Sequence, residues 1–177
     1  MKRLSPDARM DDAEPPREPV AEAAPFTGRR RRGKPYHEPV ADELLDDLHL
    51  AIGKGLALLG VSEDTEPAKV VAAIARYVDD VRAGRELRAA DPAEAALALA
   101  CLYGQSVALA FGYGWAHVRC TRRPGILVVS SEGRYAVGPR AVVDAAFERG
   151  GSVVSAHFAR LTGALPASAP GRYVTLR

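Results

Sequence analysis

The side chains best suited to metal binding or nucleophilic chemistry in this chain are Cys101, His117, Cys120 and His157. The run His117-Val118-Arg119-Cys120 imitates a ligand pair. A zinc site needs its ligands to converge, and on an extended strand positions 117 and 120 point to opposite faces. Cys101 falls within an apolar stretch, where a small thiol is ordinary core material. A cysteine or serine nucleophile needs a base in reach and a further group that orients the base. Cys101, Ser106, Ser130 and Ser131 have no flanking motif of that kind. Asp46-Asp47 and Asp79-Asp80 are adjacent carboxylates. Neighbours along a helix do not face each other, so both pairs are expected on solvated faces. Gly53-Lys54-Gly55 lacks the preceding strand and the full glycine spacing of a phosphate loop. The sequence therefore predicts no catalytic residue, no metal ligand and no cofactor.

Binding is better represented than catalysis. Tyr103, Phe111, Tyr113 and Trp115 gather at one end of a predicted central helix, and Arg119, Arg122, Arg123 and Arg134 follow around a predicted hairpin. Aromatic and arginine side chains exposed together have the composition of an interaction hot spot. Tyr113, Trp115, Arg119, Arg122, Arg123 and Arg134 are the candidate binding residues. The charge pattern agrees with this choice. The net charge is +2, but residues 37–94 carry six basic and thirteen acidic side chains, while residues 95–177 carry nine basic and three acidic ones. The two halves could neutralise each other within the fold, or the basic half could meet an acidic partner.

The element that must position these residues is the stretch from Asp91 to Trp115. Asp91 suits a helix N-cap, Pro92 the first turn, and Glu94 the third position of a capping box. The 22 residues from Ala95 to Ala116 carry no charged side chain. That is long enough to span a bilayer. Alanine dominates the run, however, and charged helices precede it, so the expected place is the centre of a soluble fold with no membrane contact. Gly104, Ala108 and Gly112 form a small-residue ridge where another backbone could approach, and Gly112 with Gly114 ends the helix.

The remaining elements follow from periodicity. Leu44, Leu45, Leu48, Ile52, Leu56 and Leu59 make a helical stripe over about residues 40–59. A Thr65 cap and Pro67 open a second helix, with Val70, Val71, Ile74, Tyr77, Val78 and Val81 inward; a short loop predicts that these two helices pair antiparallel. Three strands follow, over residues 115–119, 126–129 and 134–137, then a helix from Pro139 and a last one capped by Ser152. Residues 173–176 read as an added edge strand or a loose end.

The expected fold class is α+β. A helical layer of three helices, the third central and buried, packs on a three-stranded antiparallel sheet with two short C-terminal helices. Residues 1–38, rich in proline and holding the Arg29–Arg32 cluster, read as a disordered basic tail; 39–162 as one globular domain; 163–177 as a loop with a possible edge strand. Two cysteines do not make a disulfide framework and suit a reducing compartment; with no apolar signal segment at the start, the expected location is the cytoplasm.

Residues 102–161 carry a recurring pattern: Gly104-Gln105 in a helix, Gly112 and Trp115 where it passes into a strand, Gly133 in a hairpin, Pro139 opening a helix that ends near Arg149-Gly150, and Phe158 on a final helix. This pattern resembles a widespread family of small, uncharacterised bacterial α+β domains. Members usually have an acidic residue after the first glycine, where Gln105 stands here, and a basic pair where this chain has Glu148-Arg149. The resemblance implies a compact module and brings no activity or catalytic residues.

Together these features predict a non-enzymatic protein-interaction module, of the immunity or accessory kind, whose partner offers an acidic protein surface. The alternatives are a nucleic-acid binder using the arginine tail and the basic hairpin, and an enzyme without a recognisable motif. Oligomeric state is not legible in the sequence.

Overall fold

A computed structural model describes residues 37–85, 91–119, 125–167 and 174–176. In chain order the elements are β1 (His37–Pro39), α1 (Asp42–Leu59), α2 (Pro67–Arg82), α3 (Pro92–Phe111), β2 (Gly114–Val118), β3 (Gly125–Val129), β4 (Tyr135–Val137), α4 (Pro139–Arg149), α5 (Ser152–Leu161) and β5 (Val174–Leu176).

The α+β class holds, but the sheet is larger than three antiparallel strands. It has five strands in the order β1-β2-β3-β4-β5. The first four are antiparallel neighbours, and β5 runs parallel to β4. A parallel neighbour needs a crossover, and α4 and α5 supply it. Strand β1 uses His37 and Glu38, which composition alone assigns to the tail. Pro39 hides this strand from a propensity reading; on an edge strand its missing N–H costs the sheet nothing.

Helix α3 is the core element, as its uncharged run predicts. Asp91 caps it by accepting from the Ala93 N–H at 2.8 Å, and Gly112 ends it in the left-handed region at φ 65°. Leu99, Tyr103 and Val107 are fully buried. By length and composition α3 could cross a membrane, but 67% of its apolar window is buried in this fold. Glu94 does not close a capping box. It reaches across to Lys54 of α1 at 2.5 Å.

Helix α1 runs antiparallel to α3 and makes only a small contact with α2, so the expected α1–α2 pair is not formed. Gly55 explains the choice. A Cβ there would lie 2.9 Å from the Ala98 carbonyl and 3.1 Å from the Leu102 Cβ. The close approach of α1 to α3 is thus at Gly55, not at the Gly104 ridge. The N-termini of α2 and α5 also differ from expectation. Their N-caps are Glu66 and Gly151, neither with a side-chain cap of its own. For α5 the missing acceptor comes from another helix: the Asp79 carboxylate of α2 accepts from the Gly151 N–H at 2.7 Å. Asp79 is therefore a cap for a distant helix rather than one of two idle surface carboxylates. Its neighbour Asp80 pairs with Arg85.

Candidate functional site at the aromatic end of the sheet

The register sets where each candidate residue falls. Gly114 pairs with Val129 and Val118 with Gly125, so Tyr113 and Arg119 leave β2 at opposite ends of the sheet. Arg134 precedes β4 at the Tyr113 end. The expectation that the arginines surround one hairpin is corrected: a strand of five residues separates Arg119 from Arg134. Each also has a carboxylate. Arg119 pairs with Glu38 at 2.8 Å and Arg134 with Glu132 at 3.0 Å, all four side chains being well exposed. Arg122, Arg123 and Cys120 lie outside the described residues.

Trp115 is a packing residue. It points to the helical layer, its ring fills the space above Gly104, and its Nε1–H donates to Gln105 Oε1 at 3.2 Å. Gln105 thus anchors the indole with a neutral amide.

Tyr113 stands apart from Trp115 and joins three other rings. Phe111, at the end of α3, lies 6.1 Å from Tyr113 and 5.1 Å from Phe158 of α5, measured between ring centroids. Tyr135 completes the group from β4. The Ser130 N–H donates to the Tyr135 carbonyl at 3.0 Å, so Tyr113, Ser130 and Tyr135 form one row across the helix-facing side of the sheet. Burial raises the pKa of the Tyr113 phenol, and the nearby Tyr135 phenol adds to that. The Tyr135 hydroxyl donates to the Pro166 carbonyl at 2.9 Å, which ties the segment after α5 to the same group. All four rings are half-buried.

The β3–β4 turn that carries Arg134 is held by Ser130. Its Oγ accepts from the N–H groups of Arg134 and Tyr135, each at 3.1 Å, and Gly133 turns the chain at φ 64°. Ser130 thus has a structural role in the turn. The other chemical candidates Cys101 and His157 lie in the core. Burial raises the Cys101 thiol's pKa, partly offset by the Arg140 charge. The Tyr103 hydroxyl and His157 Nδ1 lie 2.5 Å apart in the core and link α3 to α5. His157 Nε2 lacks a well-formed hydrogen bond, although the Leu176 backbone is near enough to favour the protonated ring. Among the described residues no group of three or more His, Cys, Asp or Glu side chains could hold a metal ion.

Sequence reasoning placed Tyr113 with Trp115 because they are two residues apart, and passed over Tyr135 and Phe158 as site residues. The signal for Tyr135 was its place opposite Ser130, which only the hairpin register reveals. The chain matches no known family model, no curated protein and no solved structure.

Proposed function

We propose that this protein is a non-enzymatic interaction module that binds an acidic protein surface with the aromatic end of its sheet. Phe111, Tyr113, Tyr135 and Phe158 supply the apolar centre and Arg134 the charge. The supporting observation is the convergence of four half-buried rings from different parts of the chain, with the exposed Arg134 next to Tyr135 in sequence. Rings at the centre of a patch, with a charge at its rim, are where binding energy concentrates. The Arg134–Glu132 pair does not lock the arginine. An exposed pair is worth about 0–1 kcal/mol, so the guanidinium is free to turn to a partner carboxylate.

This reading keeps Tyr113 and Arg134 from the sequence-based site, gives Trp115 a packing role, and leaves out Arg119, which lies at the other end of β2. It also agrees with the immunity or accessory role expected from the sequence, because such proteins act by covering a partner rather than by chemistry. The test is capture from the native organism with the full chain, alongside Tyr113→Ala and Leu50→Ala, with and without nuclease. Leu50 is 62% exposed on α1 and serves as the control. A protein retained by wild type and Leu50→Ala but lost with Tyr113→Ala supports the proposal. Binding that nuclease abolishes, and that falls steeply with salt, assigns a nucleic acid instead.

A further inference from the structure

The aromatic end already holds one segment of its own chain. Residues 164–167 read Ala-Leu-Pro-Ala and lie outside any helix or strand. A proline fixes its own φ at about −65° and pushes the residue before it to extended backbone, so Leu165-Pro166 is a stiff, extended pair. The Leu165 side chain is half-buried against the same core as the four rings. The Tyr135 hydroxyl donates to the Pro166 carbonyl at 2.9 Å. Proline-containing segments are recognised on aromatic surfaces for two reasons. They are ordered before they bind, and their carbonyls, unused by any internal hydrogen bond, accept from the surface. The contact between Tyr135 and Pro166 has this chemistry.

The chain's own segment uses only one side of the row. Tyr113 stands at the other side, with Ser130 between it and Tyr135. Two strand spacings separate the tyrosine backbones by about 10 Å, which leaves room for a second extended segment. The Tyr113 ring leans on Phe111, and its hydroxyl has no hydrogen-bond partner among the described residues. The row therefore carries two tyrosine hydroxyls in one register, one of them given to a carbonyl and the other left to give. Arg134, the residue before Tyr135, is held only by its exposed pair with Glu132.

We propose that the partner enters this site as an extended, proline-containing acidic segment laid beside Leu165-Pro166. A carbonyl of that segment accepts from the Tyr113 hydroxyl. Its proline ring rests on Phe111 and Tyr113, and a carboxylate next to it meets Arg134. The inference rests on the reading of the aromatic end as the binding surface, and it narrows the acidic partner to an unfolded stretch of chain. It repeats between two molecules a contact that Tyr135 and Pro166 make within one.

The experiment uses the full chain and a fluorescein-labelled peptide, Glu-Glu-Ala-Leu-Pro-Ala-Leu-Pro-Glu-Glu, which repeats the Ala-Leu-Pro of residues 164–166 between acidic ends. Binding is read by fluorescence anisotropy. Wild type is expected to bind the peptide, and alanine in place of both prolines is expected to weaken binding several-fold. Tyr113→Phe keeps the ring and removes only the hydroxyl, so it should weaken binding by about threefold to tenfold, the range of one hydrogen bond. Its circular dichroism should match wild type. No binding at millimolar peptide, equal binding of the proline and alanine peptides, or an unchanged constant for Tyr113→Phe overturns the inference. If the peptide fails while a captured partner still requires the Tyr113 ring, the extended segment falls and the binding surface stands. If the partner does not require that ring either, both fall.

Discussion

Trp115 occupies the space that a side chain at position 104 would need. A Cβ built on Gly104 would lie 2.2 Å from Trp115 Cη2 and 2.8 Å from Pro139 Cγ. The glycine lets the indole bridge β2 and α3, and the Gln105 amide holds the ring there. Gly104→Ala should therefore destabilise by about 1–3 kcal/mol through overpacking, although alanine favours a helix by about 1 kcal/mol. Gly104→Leu should prevent folding. Trp115 is the single tryptophan, so its emission reports the site directly. In urea melts, adding Trp115→Phe should recover part of the loss in Gly104→Ala. Equal stability of Gly104→Ala and wild type would show that the indole does not need this gap.

Asp79 holds the start of α5 from another helix. Its carboxylate accepts from the Gly151 N–H, and Gly151 sits so close to α2 that a Cβ would come within 2.0 Å of the Ala75 carbonyl. Asp79→Ala should cost about 0.5–2 kcal/mol, the range of a lost N-cap. Gly151→Ala should cost more, because backbone would have to move. Asp80→Ala, beside it but paired only with exposed Arg85, should change stability by less than about 0.5 kcal/mol. Denaturant unfolding of the three variants gives the order. Equal effects of Asp79→Ala and Asp80→Ala would remove the capping role.

Acid should loosen the core through His157. Burial lowers its pKa, the Arg160 charge adds a smaller push the same way, and the Leu176 backbone opposes both. The folded state thus favours the neutral ring. This contribution is fully present above the unfolded pKa of about 6.5 and is lost as pH falls from there toward the lower folded pKa. His37, also lowered by burial, acts in the same direction. His157→Gln keeps a partner for the Tyr103 hydroxyl and removes the titration. It should be less stable at neutral pH, with a flatter fall in Tm below about pH 6.5. Parallel pH profiles for variant and wild type would show that His157 does not titrate on unfolding.

The helices were legible because their signals are local. Asp91 with Pro92, the glycines that close α1 and α3, and the uncharged run after Glu94 each state their role within a few residues. The three central strands were legible for the same reason. What was missed depends on partners distant in sequence. Strand β1 is three residues with a proline and pairs with β2 across three helices. Strand β5 pairs with β4 across the whole of α4 and α5. The Asp79–Gly151 cap spans 72 positions. The site was half legible for the same reason: Tyr113 was found by composition, but its neighbours Tyr135 and Phe158 reach it only through register and helix packing.

The most direct test of the central claim is the dissociation constant of the captured partner for the full chain and for Tyr113→Ala. Both proteins are first checked for matching circular dichroism. A hot-spot ring is worth about 2 kcal/mol or more, so binding should weaken roughly 30-fold, while Leu50→Ala binds as wild type. A folded Tyr113→Ala that binds with the wild-type constant would contradict the assignment of the aromatic end as the binding surface.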